Sequence, residues 1–192
     1  WEVPINNLSY LLDYLTPLDT IELNLYQEKN KKEIHYKQPE DSNIKLFKHQ
    51  EEAVEFGLNH NKWLLLDVPG LGKSLSAIRL AEELKSRENI EHCLVICGLN
   101  SLKRNWKSEI KKFSQLDSII IGEHISKKGN ISTKSIPERV KQLKDPIEEF
   151  FVIINIESLR SEEIIEAIMK GKNKFPLIIL DEAHTCKSPQ SQ

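Results

Sequence analysis

A glycine-rich turn between an apolar run and a helical pattern constrains this chain more than any other feature. Trp63-Leu64-Leu65-Leu66-Asp67-Val68 runs into Pro69-Gly70-Leu71-Gly72-Lys73-Ser74, and residues 74–86 follow with Leu75, Ile78, Ala81 and Leu84 at helical spacing. A short apolar run, a tight turn and an amphipathic helix form the repeating unit of a parallel sheet. Glycines let the backbone curl so that successive N–H groups face one point, where the helix N-terminus adds its positive dipole. Such a loop holds phosphate. Pro69, Gly70, Leu71 and Gly72 would cradle a nucleotide, Lys73 would reach its β- and γ-phosphates, and the Ser74 hydroxyl would ligate Mg²⁺. The general form of this loop has a further Gly where Asp67 stands here.

A second motif supplies the other half of a hydrolytic site. Leu177-Ile178-Ile179-Leu180 ends in Asp181-Glu182-Ala183-His184. Two acids at the carboxyl end of a buried strand are costly unless they face a ligand or a cation. Asp181 would hold Mg²⁺ through its water shell, and Glu182 would orient and deprotonate the water attacking the γ-phosphate. The expected cofactors are ATP and Mg²⁺, with Lys73, Asp181 and Glu182 as the catalytic group.

Between the motifs, short apolar runs at 93–97, 118–121, 150–155 and 177–180 join 63–68 as strand candidates. Each is nearly continuous in apolar residues, as strands buried on both faces are. Amphipathic stretches at 74–86, 101–113 and 158–170 separate them, which predicts an α/β fold of three layers around a mostly parallel sheet. Residues 122–135, rich in Lys, Ser, Asn and Gly, read as a surface loop. The first 45 residues differ: a short helix near 7–15, two alternating runs at 21–26 and 33–36 suited to a β-hairpin, then a linker at 38–42.

Composition narrows the class only slightly. Hydrophobic content of 39% and charged content of 29% are ordinary for a globular protein, and no apolar run reaches the roughly 20 residues of a membrane span. Three cysteines fit a reducing cytoplasm, with Cys93 and Cys97 on one strand face as core residues rather than metal ligands. The chain starts at Trp1 without a basic or apolar leader, so nothing suggests secretion, and without an initiator Met it is expected to begin inside a longer protein. A net charge of −2 excludes a strongly basic nucleic-acid clamp but leaves room for local basic stripes.

With their neighbours, these motifs resemble the Swi/Snf-type ATPases of helicase superfamily two, particularly phage-encoded and bacterial members. Ahead of the loop, Leu46-Phe47-Lys48-His49-Gln50 is similar to the family's adenine-side element, which implies that Gln50 reads the adenine edge. Gly98-Leu99-Asn100-Ser101-Leu102-Lys103-Arg104-Asn105-Trp106-Lys107-Ser108-Glu109 resembles the family's Trp/Glu segment, although the common form has Pro at the place of Gly98 and is one residue shorter. Asn155-Ile156-Glu157-Ser158-Leu159-Arg160 resembles the next DNA-side element, with Asn155 where Thr is usual. Cys186-Lys187-Ser188-Pro189 continues the pattern after the acidic motif.

The resemblance covers about residues 46–192 and implies a RecA-like P-loop lobe ending after the acidic motif, preceded by a 1–45 accessory segment. It implies duplex DNA as partner, with Asn100, Ser101, Lys103 and Asn155 on the DNA side and His184 coupling nucleotide to DNA. Lys107, Lys111 and Lys112 read instead as a solvated helix face, with Trp106 as core anchor. The family's second RecA-like lobe, which supplies arginine fingers, is not found after Gln192. The fragment is therefore expected to bind ATP weakly and turn over negligibly, within a cytoplasmic, nucleoid-associated parent of a bacterial or phage-infected cell. An RNA helicase or restriction-system motor is the nearest alternative, and a non-catalytic binding module is the alternative of another class. A small-molecule kinase would need an acceptor pocket and lid that the sequence does not display.

Overall fold

The computed structural model describes residues 33–40, 44–65, 67–98, 100–126 and 129–181. The expected helix near 7–15, the first hairpin arm at 21–26, and Glu182 and His184 lie outside them. The element order is α1 (Lys48–Asn59), α2 (Lys73–Glu88), β1 (Cys93–Cys97), α3 (Leu102–Phe113), β2 (Ser118–Ile120), β3 (Glu123–Ile125), β4 (Ile131–Thr133), α4 (Ile136–Lys144), β5 (Phe151–Asn155), a 3-10 turn (Ile156–Arg160), α5 (Glu162–Lys170) and β6 (Leu177–Leu180).

Four strands form a wholly parallel sheet in the order β2-β5-β1-β6. Side chains alternate across it with the strand period of two. Leu94, Ile96, Val152 and Ile154 face one side, where Leu143 of α4 and Ile164, Ala167 and Ile168 of α5 cover them. Cys93, Val95, Cys97, Phe151 and Ile153 face the other, against Ile78 and Ala81 of α2 and Trp106 and Ile110 of α3. This is the expected three-layer α/β arrangement. A satellite cluster seats α1 on α2 through Val54, Leu58 and Leu80, with Tyr36 buried among them.

Local chemistry explains the helix ends. Asn89 closes α2 in the left-handed conformation, its N–H donating to the Lys85 carbonyl, with Lys85 and Arg87 complementing the dipole in the last turn. The Ser161 hydroxyl accepts the Ile164 N–H at the start of α5, where Glu162 and Glu163 occupy the first turn. Ser114 follows α3 and gives its hydroxyl proton to Glu82 of α2 at 2.7 Å, tying the two helices on one face together.

Three expectations need correction. Residues 63–68 form no ladder among those described, and Leu64 and Val68 are each 64% exposed. Among the described residues the run bonds to no strand, and β6 pairs with β1 on one side and with no described strand on the other. Residues 122–135 are not merely a loop, because β3 and β4 form an antiparallel hairpin in which Glu123 faces Thr133. The stretch at 33–36, expected as a hairpin arm, is extended but unpaired among the described residues. It lies along α1, whose Asn59 and Glu55 side chains accept the Ile34 and Tyr36 N–H groups. Helix α4, which hydrophobic periodicity did not single out, starts at a capping box of Ser135 and Glu138.

Candidate nucleotide-binding site

The phosphate loop is held in shape by both its glycines and the helix in front of it. Gly70 and Gly72 have φ of +91° and +79°, a region side chains avoid. The first helical bond of α2 runs from Ser76 N–H to the Gly72 carbonyl at 3.2 Å, so the amides ahead of it have no intrahelical partner. No acid occupies the first turn of α2. Amides and dipole at this helix start are therefore left without an acidic side chain from the first turn to balance them.

Gln50 braces this loop from α1. Its Nε2 donates to the Leu71 carbonyl at 3.0 Å, and its Oε1 accepts the Phe47 N–H at 3.0 Å. His49 Nε2 lies 3.1 Å from the same Leu71 oxygen. Gln50 is buried, so the residue expected to read adenine here also fixes the loop. Lys73 folds back over the turn, donating to the carbonyls of Asp67 at 2.7 Å and Val68 at 3.3 Å. Those contacts place the ammonium inside the loop, where it faces neutral acceptors that an anion can replace. Pro69, Gly70 and Leu71 are exposed at the tip, and Ser74 is half-buried in the first turn of α2.

Gly72→Ala is expected to strain the loop. An added Cβ would stand 2.4 Å from Gln50 Nε2, a flexible contact that can yield, but the left-handed φ remains. That conformation costs a side chain about 1–2 kcal/mol. Thermal melting should fall by about 2–8 °C for a chain of this size.

Asp181 sits at the carboxyl edge of the sheet. Its N–H donates to the Ile96 carbonyl at 2.8 Å, and its Oδ2 accepts the Trp106 indole N–H, also at 2.8 Å. Ladder register brings the ends of β1, β5 and β6 to this same edge, with Cys97 opposite Asn155 and Ile96 opposite Leu180. No hydrogen bond or ion pair joins Asp181 to the loop among the described residues. They also contain no cluster of three or more His, Cys, Asp or Glu that could hold a metal. The Asp181 carboxylate and the Ser74 hydroxyl are hard oxygen donors, and Mg²⁺ is usually bound by one or two carboxylates plus substrate phosphates. Asp181 and Ser74 would hold it, and its charge would offset that of the phosphates.

The expected DNA-side residues separate into two groups. Asn100, Ser101 and Lys103 line a cavity of about 250 Å³ with Arg104, Glu123 and Thr133. Lys103 is only 7% exposed, and burial lowers its ammonium pKa from the ordinary value. Asn155 is instead buried, its amide donating to Glu157 at 3.0 Å and accepting the Ser158 hydroxyl at 2.6 Å. Ser158 in turn accepts from Arg139 at 2.9 Å. Glu123 draws in two α3 cations, with Arg104 at 3.0 Å and Lys107 at 3.8 Å. Cys97 lies under this edge, and burial pushes its thiol up to about 11.

Sequence reasoning missed Glu123, Arg139 and the bond between Trp106 and Asp181. Only the sheet brings the last pair together, since 75 residues separate them.

A family model described as type III restriction enzyme, res subunit, matches residues 43–192. The chain belongs to that family. Its relatives make it a helicase-like lobe of superfamily two with Swi/Snf homologues. An ATP-dependent helicase of Mycoplasma pneumoniae is 31% identical over 149 residues, covering 74% of this chain and 13% of that protein. The transcription regulatory protein SNF2 of Saccharomyces cerevisiae is 34% identical over 136 residues, covering 70% of this chain and 7% of the relative. The chromatin-remodeling ATPase INO80 of Aspergillus oryzae is 27% identical over 183 residues, 93% of this chain and 12% of that one. The chain thus spans an eighth or less of the length of most of these relatives. Among solved structures, a nuclease-deletion mutant of the type ISP restriction-modification enzyme LlaGI, in complex with a DNA substrate mimic, shares the fold. Its TM-score is 0.56 at 23% identity, covering 73% of this chain and 15% of that one.

Proposed function

We propose that this chain is the ATP-binding lobe of a DNA-dependent, Swi/Snf-type translocase. The observation that carries the reading is the loop itself: two left-handed glycines, an ammonium folded over the turn and open amides at the start of α2. Lys73 and those amides would bind the triphosphate, and Gln50 would hold the loop and meet the base. Asp181 and Ser74 would carry Mg²⁺, with Glu182 as base and His184 as the coupling residue. In this reading a second lobe supplies the arginine fingers, whose contribution is typically about 10³–10⁵ in rate. The 192 residues alone would then bind ATP weakly and turn over negligibly. Titrating them with a fluorescent ATP analogue and Mg²⁺ should give saturable binding that ATP displaces. No displaceable binding would overturn the reading of the site, and DNA-stimulated turnover lost in Lys73→Ala would overturn the inactivity of the isolated lobe.

The cavity at the start of α3 supports duplex DNA as the partner. Ser101, Lys103 and Arg104 there would hold phosphates without reading sequence. Glu123 competes for Arg104 and Lys107, so Glu123→Gln is expected to tighten duplex binding. Exposed ion pairs contribute about 0.2–1 kcal/mol, which corresponds to roughly 1.5- to 5-fold. Fluorescence anisotropy at low and high salt would measure it, and the gain should shrink as salt rises.

The family match and the LlaGI fold favour a second reading, a motor of a restriction system. Stimulation of the parent's ATPase only by DNA carrying a particular sequence would support that version. Stimulation by any duplex would support the first, and stimulation by single-stranded RNA neither.

A further inference from the structure

Trp106 is placed to do more than fill the core. Its ring is 4% exposed and packs on the sheet face covered by α2 and α3, in the cluster that contains Ile78, Ala81, Cys97 and Ile110. Yet its single polar atom leaves that cluster and donates to Asp181 Oδ2 at 2.8 Å. An indole N–H is a donor only, and it stays one across the whole working pH range. The Asp181 main chain is pinned separately, through its N–H to Ile96 of β1. The residue is thus fixed at two points, its backbone by β1 and one carboxylate oxygen by α3.

We propose that Trp106 is the positioning residue for Asp181, holding Oδ2 so that Oδ1 is presented to the divalent cation of the bound nucleotide. The inference rests on the nucleotide-site reading above. A carboxylate with one oxygen held by a rigid donor loses less rotational freedom when it takes a cation, and partners outside the ligand set typically contribute about 10- to 100-fold to metal affinity. Trp106 lies one helical turn beyond Lys103, in the same first turns of α3 that line the cavity. The cation's carboxylate is therefore held by the helix that carries the proposed DNA-side residues.

The test uses the 192-residue chain with ADP and Mn²⁺, whose free and bound forms are distinguished by electron paramagnetic resonance. Trp106→Phe keeps a ring in the core and removes the N–H. About tenfold weaker Mn²⁺ uptake, at unchanged metal-free ADP affinity, is the expected result. Uptake within twofold of the parent in a folded variant would overturn the inference. A second measurement stands if that variant does not fold. The ¹⁵N-labelled indoles of Trp1, Trp63 and Trp106 can be assigned by substituting the first two with Phe. Asp181→Asn should then shift the Trp106 indole proton alone, and an unmoved resonance overturns the bond. Uptake that depends on Lys73 but not on Trp106 removes the inference and leaves the nucleotide site intact. No uptake by the parent chain, or equal uptake by Lys73→Ala, removes the nucleotide site and the inference with it.

Discussion

Lys73→Ala is expected to lower affinity for Mg–nucleotide by roughly 30- to 4,000-fold while leaving the fold almost as stable as before. The two halves of that statement come from the same geometry. In the structure the ammonium bonds two neutral main-chain carbonyls, Asp67 and Val68, from a half-buried position. Hydrogen bonds from a charged donor contribute about 1.5–3 kcal/mol each, but Val68 is exposed and Asp67 half-buried, so hydration of the two freed carbonyls returns most of it. Against a triphosphate the same ammonium would face the most highly charged oxygens in the site. Losing one partner of a desolvated charge pair costs about 2–5 kcal/mol, which is the range of affinity quoted. Equilibrium titration with a fluorescent ATP analogue, run beside a thermal melt, measures both. Affinity within threefold of the parent would make Lys73 a brace for the loop and nothing more.

Phe151→Ala is expected to produce the largest loss of stability of any substitution considered. Phe151 is fully buried on β5, a strand bonded on both edges, and meets the Phe150 ring edge to face at 4.8 Å. Removing a buried phenyl costs about 3–5 kcal/mol through lost transfer energy and an unfilled cavity. Native domains have only about 5–15 kcal/mol to lose. The melting temperature should therefore drop by about 6–20 °C. Leu64→Ala is the contrast, since its side chain is mostly in solvent and should change stability by less than about 0.5 kcal/mol. Urea unfolding of the pair gives both values, and equal effects would contradict the packing described.

What the sequence reveals and what it hides follow from the range over which each signal acts. Strands β1 and β5 are readable because a strand buried on both faces must be apolar throughout, and their alternation then divides the two core clusters; β6 is equally apolar but only half-buried. The phosphate loop is readable because a glycine at positive φ, a lysine and a helix start are all local. The run at 63–68 has the composition of a strand but, among the described residues, no neighbour to complete a ladder, and composition cannot supply one. The β3–β4 hairpin escapes because its residues are mostly polar and exposed, so apolar alternation is absent. The bond from Trp106 to Asp181 escapes for a third reason. Tryptophan at that place satisfies the helical pattern fully as a core residue, and its polar atom gains meaning only when the sheet closes.

The stretch at 33–38 also has a practical side for anyone redesigning or trimming this domain. The family match begins at residue 43, ten residues after Glu33. Tyr36, however, is seated against Val54, Leu58 and Leu80, and burial pushes its hydroxyl up to about 12. Gln38 reaches forward, its Oε1 accepting the Leu46 N–H at 2.6 Å just ahead of α1. Helix α1 is the one that holds Gln50 against the phosphate loop. A boundary drawn by sequence similarity would cut away the strap that packs on this helix, and with it the bonds to Asn59, Glu55 and Leu46.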